Sequence, residues 1–214
     1  MRNHGPRPSD PRLTNLRAEL LALEEGLEST PQGPSDRVHA AVSVVLREGK
    51  ELDLLLIKRA VSEGDPWSGH MALPGGRRET SDTSLLHTAK RETLEETGLD
   101  LGAAGAGLGS LEPLEPNTFR LPPISIFPFV FGVPEGTEAR VASPEIVEVL
   151  WVPLSYLSSP EALSTVKIPL GDLTRDFPCI RVGEHAIWGL TYRILKDFFR
   201  LMGWGDPDPL PTPQ

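Results

Sequence analysis

A chain of 214 residues with 39% hydrophobic and 24% charged residues has the apolar content for one substantial core and the profile of an ordinary globular protein. Its formal charge of −9, with no long basic run to offset it, argues against a general nucleic-acid binder. The single cysteine, Cys179, excludes an intramolecular disulfide and fits a reducing compartment as a buried small residue. The opening MRNHGPRPSD has no apolar core of signal-peptide length, and no apolar stretch suits a bilayer, so a cytoplasmic location and no membrane partner are expected.

Residues 1–12 are rich in proline and polar residues and are expected to be loosely attached, as are 205–214. Leucines at 13, 16, 20, 21, 23 and 27 predict a helix over Leu13–Leu27, before Gly33-Pro34 interrupts. Val38–Leu46 reads as a buried strand and Leu52–Lys58 as its neighbour across a turn at Glu48-Gly49-Lys50. Ala60–Leu73 is predicted as a loop that delivers the chain to Pro74-Gly75-Gly76, and Ser84–Thr97 as a helix ended by Gly98. A small-residue connection over Gly102–Gly109 follows. Ile124–Gly132 is a strand whose Pro128 suggests an edge or a bulge, Val147–Val152 is another short strand, and Trp188–Met202 is an amphipathic helix. Strands on both sides of a central helix, with a helix at the end, predict an α+β or mixed α/β fold. The expected organisation is an N-terminal extension over 1–35, one domain over 36–204 and a tail over 205–214.

The run Arg91-Glu92-Thr93-Leu94-Glu95-Glu96-Thr97-Gly98-Leu99 carries the chemistry. On a helix Glu92, Glu95 and Glu96 project from one face, and their mutual repulsion needs an offset. A hard divalent cation with oxygen ligands supplies one, whereas the bland reading is a solvated acidic face. The glycine turn before the helix and Gly98 after it favour the metal.

Gly75–Leu99 resembles the signature of the Nudix hydrolases, G-x5-E-x7-R-E-U-x-E-E-x-G-U with U apolar. From Arg91 to Leu99 the match fails only at Thr93. Upstream, Thr83 falls where the pattern has Glu and Arg77 where it has Gly. One inserted residue between Gly76 and Arg91 restores the register, with Glu79 or Asp82 in place of the missing Glu. That longer loop resembles the coenzyme A diphosphatase branch, as do Leu55–Arg59 with Gly69-x3-Leu73-Pro74-Gly75-Gly76, and Ile187–Thr191. The branch pattern is broken at Ile57, Ala60 and Leu73, and Glu63-Gly64-Asp65 stands where it carries an Arg.

The resemblance implies an α/β/α sandwich with a mixed central sheet and Mg²⁺-dependent hydrolysis of a pyrophosphate bond, Mn²⁺ substituting. It implies metal ligation by Glu92, Glu95, Glu96 and the Gly76 carbonyl, and an Arg91 that orients the motif through Glu79 or Asp82. Arg59, Gly75 and Arg77 are expected to meet the substrate. Glu96 is the first candidate for the general base and Glu145 the distal one; Glu148 alternates with Val147 and Val149 on a face that sequence does not assign. His70 is expected to be a loop histidine, and Trp67, Trp151 and Trp188 packing residues. The partner is expected to be a small nucleoside diphosphate derivative: coenzyme A or acyl-CoA first, then ADP-ribose, NAD(H), a nucleotide sugar or a dinucleoside polyphosphate. A nucleotide sensor without turnover is the reading from another class, and one expected to lose motif carboxylates. The two flanking helices could extend a substrate site or form a homodimer interface.

Overall fold

The axis of the fold is a ten-residue apolar strand, β1 (Val38–Arg47), four of whose consecutive residues from Ser43 to Leu46 are fully buried. The computed structural model describes residues 9–24, 37–63, 68–116, 123–170 and 173–204. On one side β1 runs parallel to β6 (Ile124–Val133) in unbroken register from Val38↔Ile124 to Arg47↔Val133. On the other side it has two partners in turn. β2 (Asp53–Arg59) pairs with it at Leu46 and Arg47 and then diverges. β4 (Gly75–Arg77) takes over at Ala40, Ala41 and Val42.

The chain enters that fork from β3 (Met71–Ala72), which pairs with β2 at Ile57 and Lys58. Within Leu73-Pro74 it crosses from β2 to β1, and the Ser43 N–H donates to the Pro74 carbonyl at 2.8 Å. The glycine turn is therefore clasped between two strands. β7 (Ile146–Pro153) lies along the far edge of β2, and β5 (Ala106–Ser110) beside β6, completing a mixed seven-stranded sheet among the described residues.

Alternation along β1 sorts the two faces. Ala41 meets Leu85 and Ala89 of α2 (Leu85–Thr97) together with Phe127. On the opposite face, Val44, Leu54, Leu56 and Val130 share one apolar cluster with Leu13, Leu16 and Leu20 of α1 (Pro11–Glu24) and with Leu195, Phe198 and Phe199 of α4 (Gly189–Leu201). The result is the expected α/β/α sandwich on a mixed sheet. The leucine face of α1 and the apolar face of α4 are covered by the chain's own sheet. Beside α4 lie a single helical turn, α3 (Leu154–Leu157), and a second antiparallel sheet of β8 (Leu163–Leu170), β9 (Leu173–Val182) and β10 (His185–Ile187).

Several sequence expectations need correction. The first helix spans Pro11–Glu24, and the reading through Leu27 runs outside the described residues. The connection over Gly102–Gly109 runs from Ala106 into β5, whose Ala-Gly-Leu-Gly-Ser sequence has little strand propensity and is held by pairing with β6. The loop over Ala60–Leu73 contains β3, and its Trp67 lies outside the described residues. Pro128 is in an interior strand. Ile126 exchanges both backbone bonds with Leu114, whereas Pro128 only accepts, from the Leu111 N–H at 2.9 Å, and β5 has already ended at Ser110. The second sheet was not anticipated, because β8 and β9 are half exposed and each is interrupted by a proline (Pro169, Pro178).

Leu13 is fully buried, so Leu13→Ala should destabilise the protein by about 3 kcal/mol in urea titration, marking α1 as part of the main core. An unchanged midpoint would make α1 a detachable extension.

Candidate active site

α2 begins at Ser84, whose hydroxyl accepts from the His87 N–H at 3.1 Å, and ends at Gly98, whose φ of +67° is the left-handed cap that glycine tolerates best. Its middle turn carries Arg91, which is locked from below. The Asp82 side chain is fully buried and accepts from Arg91 Nε and Nη2, both at 3.0 Å. Asp82 also accepts from the Glu79 N–H and the Thr88 hydroxyl, each at 2.9 Å, and faces His87 Nδ1 at 3.1 Å. The Arg91 pair, with the Glu79 N–H and the Thr88 hydroxyl, outweighs the cost of burial, and the carboxyl is held far below the ordinary range. Glu79 lies 4.0 Å from Arg91 Nη1, so of the two acids read from the sequence Asp82 is the principal partner.

From this anchor the guanidinium fans outward. It meets Glu92 Oε1 at 2.9 Å and Glu95 Oε2 at 3.0 Å, and donates to the Arg77 carbonyl at 3.2 Å. Thr93, the one departure within the helical motif, faces inward. Its hydroxyl lies 2.8 Å from both Ser43 Oγ and the Ala89 carbonyl, so a serine on β1 answers the threonine on α2.

Glu96 is 4% exposed and accepts the Gly75 N–H through Oε2 at 2.8 Å. Its other oxygen faces Arg59 Nη1 at 3.6 Å, and Arg59 Nη2 stands 4.0 Å from Glu145. Burial first, and then the neighbouring charges of Glu92 and Glu145, push the Glu96 carboxyl up to about 8. Burial raises Glu92 as well. Glu145 reaches this place because its loop is sewn to the end of α2: the Arg140 N–H donates to the Thr97 carbonyl at 2.9 Å and the Ala142 N–H to the Glu96 carbonyl at 3.1 Å.

The structure thus gathers Arg59, Gly75, Gly76, Arg91, Glu92, Glu95, Glu96 and Glu145. It turns Arg77 away: Arg77 pairs with Ala40, so its exposed side chain leaves β4 on the face opposite Gly76. Glu148 also faces away, pairing with His185 Nε2 at 3.0 Å on the side opposite Val149 and Trp151. Trp188 caps α4 and packs edge-on against His70 at 4.7 Å, and Trp151 lies beneath Arg47 at 4.3 Å. Asp82's partners Thr88 and His87 were missed by sequence reading. Their spacing after Ser84 was the available signal.

Among the described residues no three His, Cys, Asp or Glu side chains form a ready-made metal cluster; the motif carboxylates face guanidinium groups instead. The donor set nonetheless fits a hard divalent cation. Every candidate donor is oxygen, and Glu92 and Glu96 lie one turn apart above Gly76. A Cβ on Gly76 would stand 2.5 Å from the Glu92 carboxylate, so glycine is what lets backbone and acid share this space.

A model of the NUDIX domain matches residues 37–173, more than half of the chain. The chain belongs to the Nudix family. An uncharacterised Nudix hydrolase, NudL, of Photorhabdus laumondii is 32% identical over 162 residues, covering 73% of this chain and 81% of that protein. The human mitochondrial coenzyme A diphosphatase NUDT8 is 30% identical over 145 residues, 66% of this chain and 59% of that one. An uncharacterised Schizosaccharomyces pombe protein is 34% identical over 157 residues, 65% of this chain but only 48% of its own length. No helix among the described residues is long and apolar enough to cross a membrane.

Two measurements check this Nudix site. Asp82→Ala leaves Arg91 without its buried counter-charge and should cost about 3 kcal/mol in chemical denaturation. The second concerns Glu96 in chelator. With its folded carboxyl at about 8 against 4.5 when unfolded, the folded state holds the extra proton between those values. Stability in EDTA should therefore fall as pH rises from 5 to 8, by about 1 kcal/mol per unit, and Glu96→Gln should flatten the slope.

Proposed function

We propose that this protein hydrolyses the pyrophosphate bond of a nucleoside diphosphate derivative with Mg²⁺ as cofactor, and that coenzyme A or acyl-CoA is the substrate, giving 3′,5′-ADP and (acyl-)4′-phosphopantetheine. The observation that carries the hydrolase reading is the intact Glu92, Glu95 and Glu96 set standing over Gly75-Gly76, with Arg91 locked by Asp82. The coenzyme A assignment is supported by the longer Asp-containing loop and by similarity to the human coenzyme A diphosphatase. Cys179, alone and buried, suits the cytoplasm.

In this reading Glu92, Glu95, Glu96 and the Gly76 carbonyl would hold the cation. Bound there, Mg²⁺ supplies Lewis acidity and charge neutralisation for phosphoryl transfer, and Mn²⁺ shares its taste for oxygen. The chain's own residues do the rest. Arg91 fixes two of the three carboxylates. Arg59 is the guanidinium best placed to meet a substrate phosphate. Glu145, 70% exposed, accepts the proton of the attacking water in preference to Glu96, which this reading assigns to the cation. A second reading, with ADP-ribose, NAD(H), a nucleotide sugar or a dinucleoside polyphosphate as substrate, is favoured by Glu63, which stands near the position where the coenzyme A branch carries an arginine.

Purified protein with Mg²⁺ should release 3′,5′-ADP from coenzyme A by chromatography. Turnover only of another substrate on that panel would leave the hydrolase and remove the coenzyme A reading, and nucleotide binding with no turnover would favour a sensor. Glu145→Gln should lower kcat by about a hundredfold or more with Mn²⁺ affinity retained, whereas Glu96→Gln should lose both.

A further inference from the structure

We propose that Ser43 is a positioning residue of the site, one that aims the Glu96 carboxylate through its main chain and its side chain together, with Thr93 as its counterpart on α2. The inference rests on the metal-dependent reading above. Glu96 accepts the Gly75 N–H at 2.8 Å. That N–H belongs to the Pro74–Gly75 peptide, whose carbonyl accepts the Ser43 N–H, also at 2.8 Å. A peptide unit is planar, so a bond at its oxygen fixes the direction of its N–H. The main chain of Ser43 therefore sets where the donor to Glu96 points.

The side chain of Ser43 holds the other half of the same contact. Its hydroxyl donates to the Ala89 carbonyl at 3.1 Å and lies 2.8 Å from the Thr93 hydroxyl. Thr93 Oγ1 is also 2.8 Å from the Ala89 carbonyl, so both side chains converge on one helical oxygen. Thr93 precedes Glu96 by about one turn, and α2 is thus pinned to β1 beside the carboxylate it carries. Hydrogen bonds close a ring from Ser43 through Pro74–Gly75 and Glu96 to Thr93 and back. Ser43 and Thr93 are fully buried, away from water that could replace a lost bond. The apolar contacts here are few, Ala41 with Leu85, Ala89 and Phe127. Such packing has no direction and resists separation more than sliding, whereas hydrogen bonds fix register. The ring accounts for a polar residue at Thr93, where the Nudix signature is apolar: β1 meets it with a hydroxyl.

The test compares wild type, Ser43→Ala, Thr93→Val, Thr93→Ser and the Ser43→Ala/Thr93→Val double variant. Two readouts are used: hydrogen exchange of the Gly75 amide in EDTA, and Mn²⁺ binding by electron paramagnetic resonance. Ser43→Ala should speed Gly75 exchange by about tenfold while the Leu195 amide in α4 keeps its wild-type rate, and should weaken Mn²⁺ binding by about fivefold. Thr93→Val should weaken it by about threefold, and add no further loss in the Ser43→Ala background. Thr93→Ser keeps the hydroxyl and should match wild type. A Ser43→Ala protein with a lower urea midpoint but wild-type Gly75 exchange and Mn²⁺ affinity would overturn the proposal, because the hydroxyl would then only hold the core together. Equal losses in Thr93→Ser and Thr93→Val would overturn it too, since the methyl would matter and the bond would not. Wild-type Mn²⁺ affinity that Glu96→Gln does not alter would remove the metal-site reading and the proposal with it. Gly75 exchange, measured without metal, tells the two failures apart.

Discussion

A guanidinium that cannot move is the fixed point of this molecule. Arg91 is gripped by Asp82 in a place from which water is excluded, and Asp82 is itself gripped by a backbone N–H and a threonine hydroxyl. Pulling Arg91 away would strand a buried carboxylate, so the pair persists and its outward-facing nitrogens become a rigid comb. Glu92 and Glu95 are combed by it, and the Arg77 carbonyl ties the comb to β4. Three acids on one helical stripe would otherwise splay apart. Here their repulsion is held in check on one side by Arg91 and on the other by Arg59, leaving a concentrated patch of oxygen donors.

The fork in the sheet is the second constraint. β2 leaves β1 after two paired residues, and the vacated edge receives Gly75–Arg77. A side chain at Gly75 would run into the Ala41 carbonyl, and one at Gly76 into Glu92. The two glycines are demanded from opposite directions, one by the sheet and one by the acid. This is how a sheet lends main-chain donors to a site that sits on a helix: the Gly75 N–H points at Glu96 because β1 has used the other edge of the turn.

Much of this could be read from the sequence, for identifiable reasons. The helix from Ser84 to Thr97, its glycine stop and the glycine turn depend on local chemistry, and the structure places all three where the residues indicate. The sandwich followed from the resemblance and from strands that are apolar enough to be buried. β5 was missed because its small residues owe their conformation to β6, which is a non-local cause. Pro128 misled because the rule about proline concerns a missing donor, and that donor is dispensable where the neighbouring ladder has already stopped. The choice between Glu79 and Asp82 could not be made from spacing, since both fit the inserted loop and only burial separates them. The outward turn of Arg77 needed the register of β4 against β1.

The stitching between the end of α2 and the loop of Glu145 has a consequence for how this family member can drift. Arg140 and Ala142 contribute main-chain N–H groups to the carbonyls of Thr97 and Glu96, and the Ala60 N–H donates to the Glu145 carbonyl at 2.7 Å, so main-chain groups hold Glu145 at its distance from the motif helix. Side chains at 140 and 142 are thus spectators to the geometry they maintain. Almost any residue preserves the seam, but proline, which has no N–H to give, unpicks it. Between the two ends of the seam the chain travels out through β5 and β6 and returns to where it left, so an insertion in that excursion need not move Glu145 relative to Glu96.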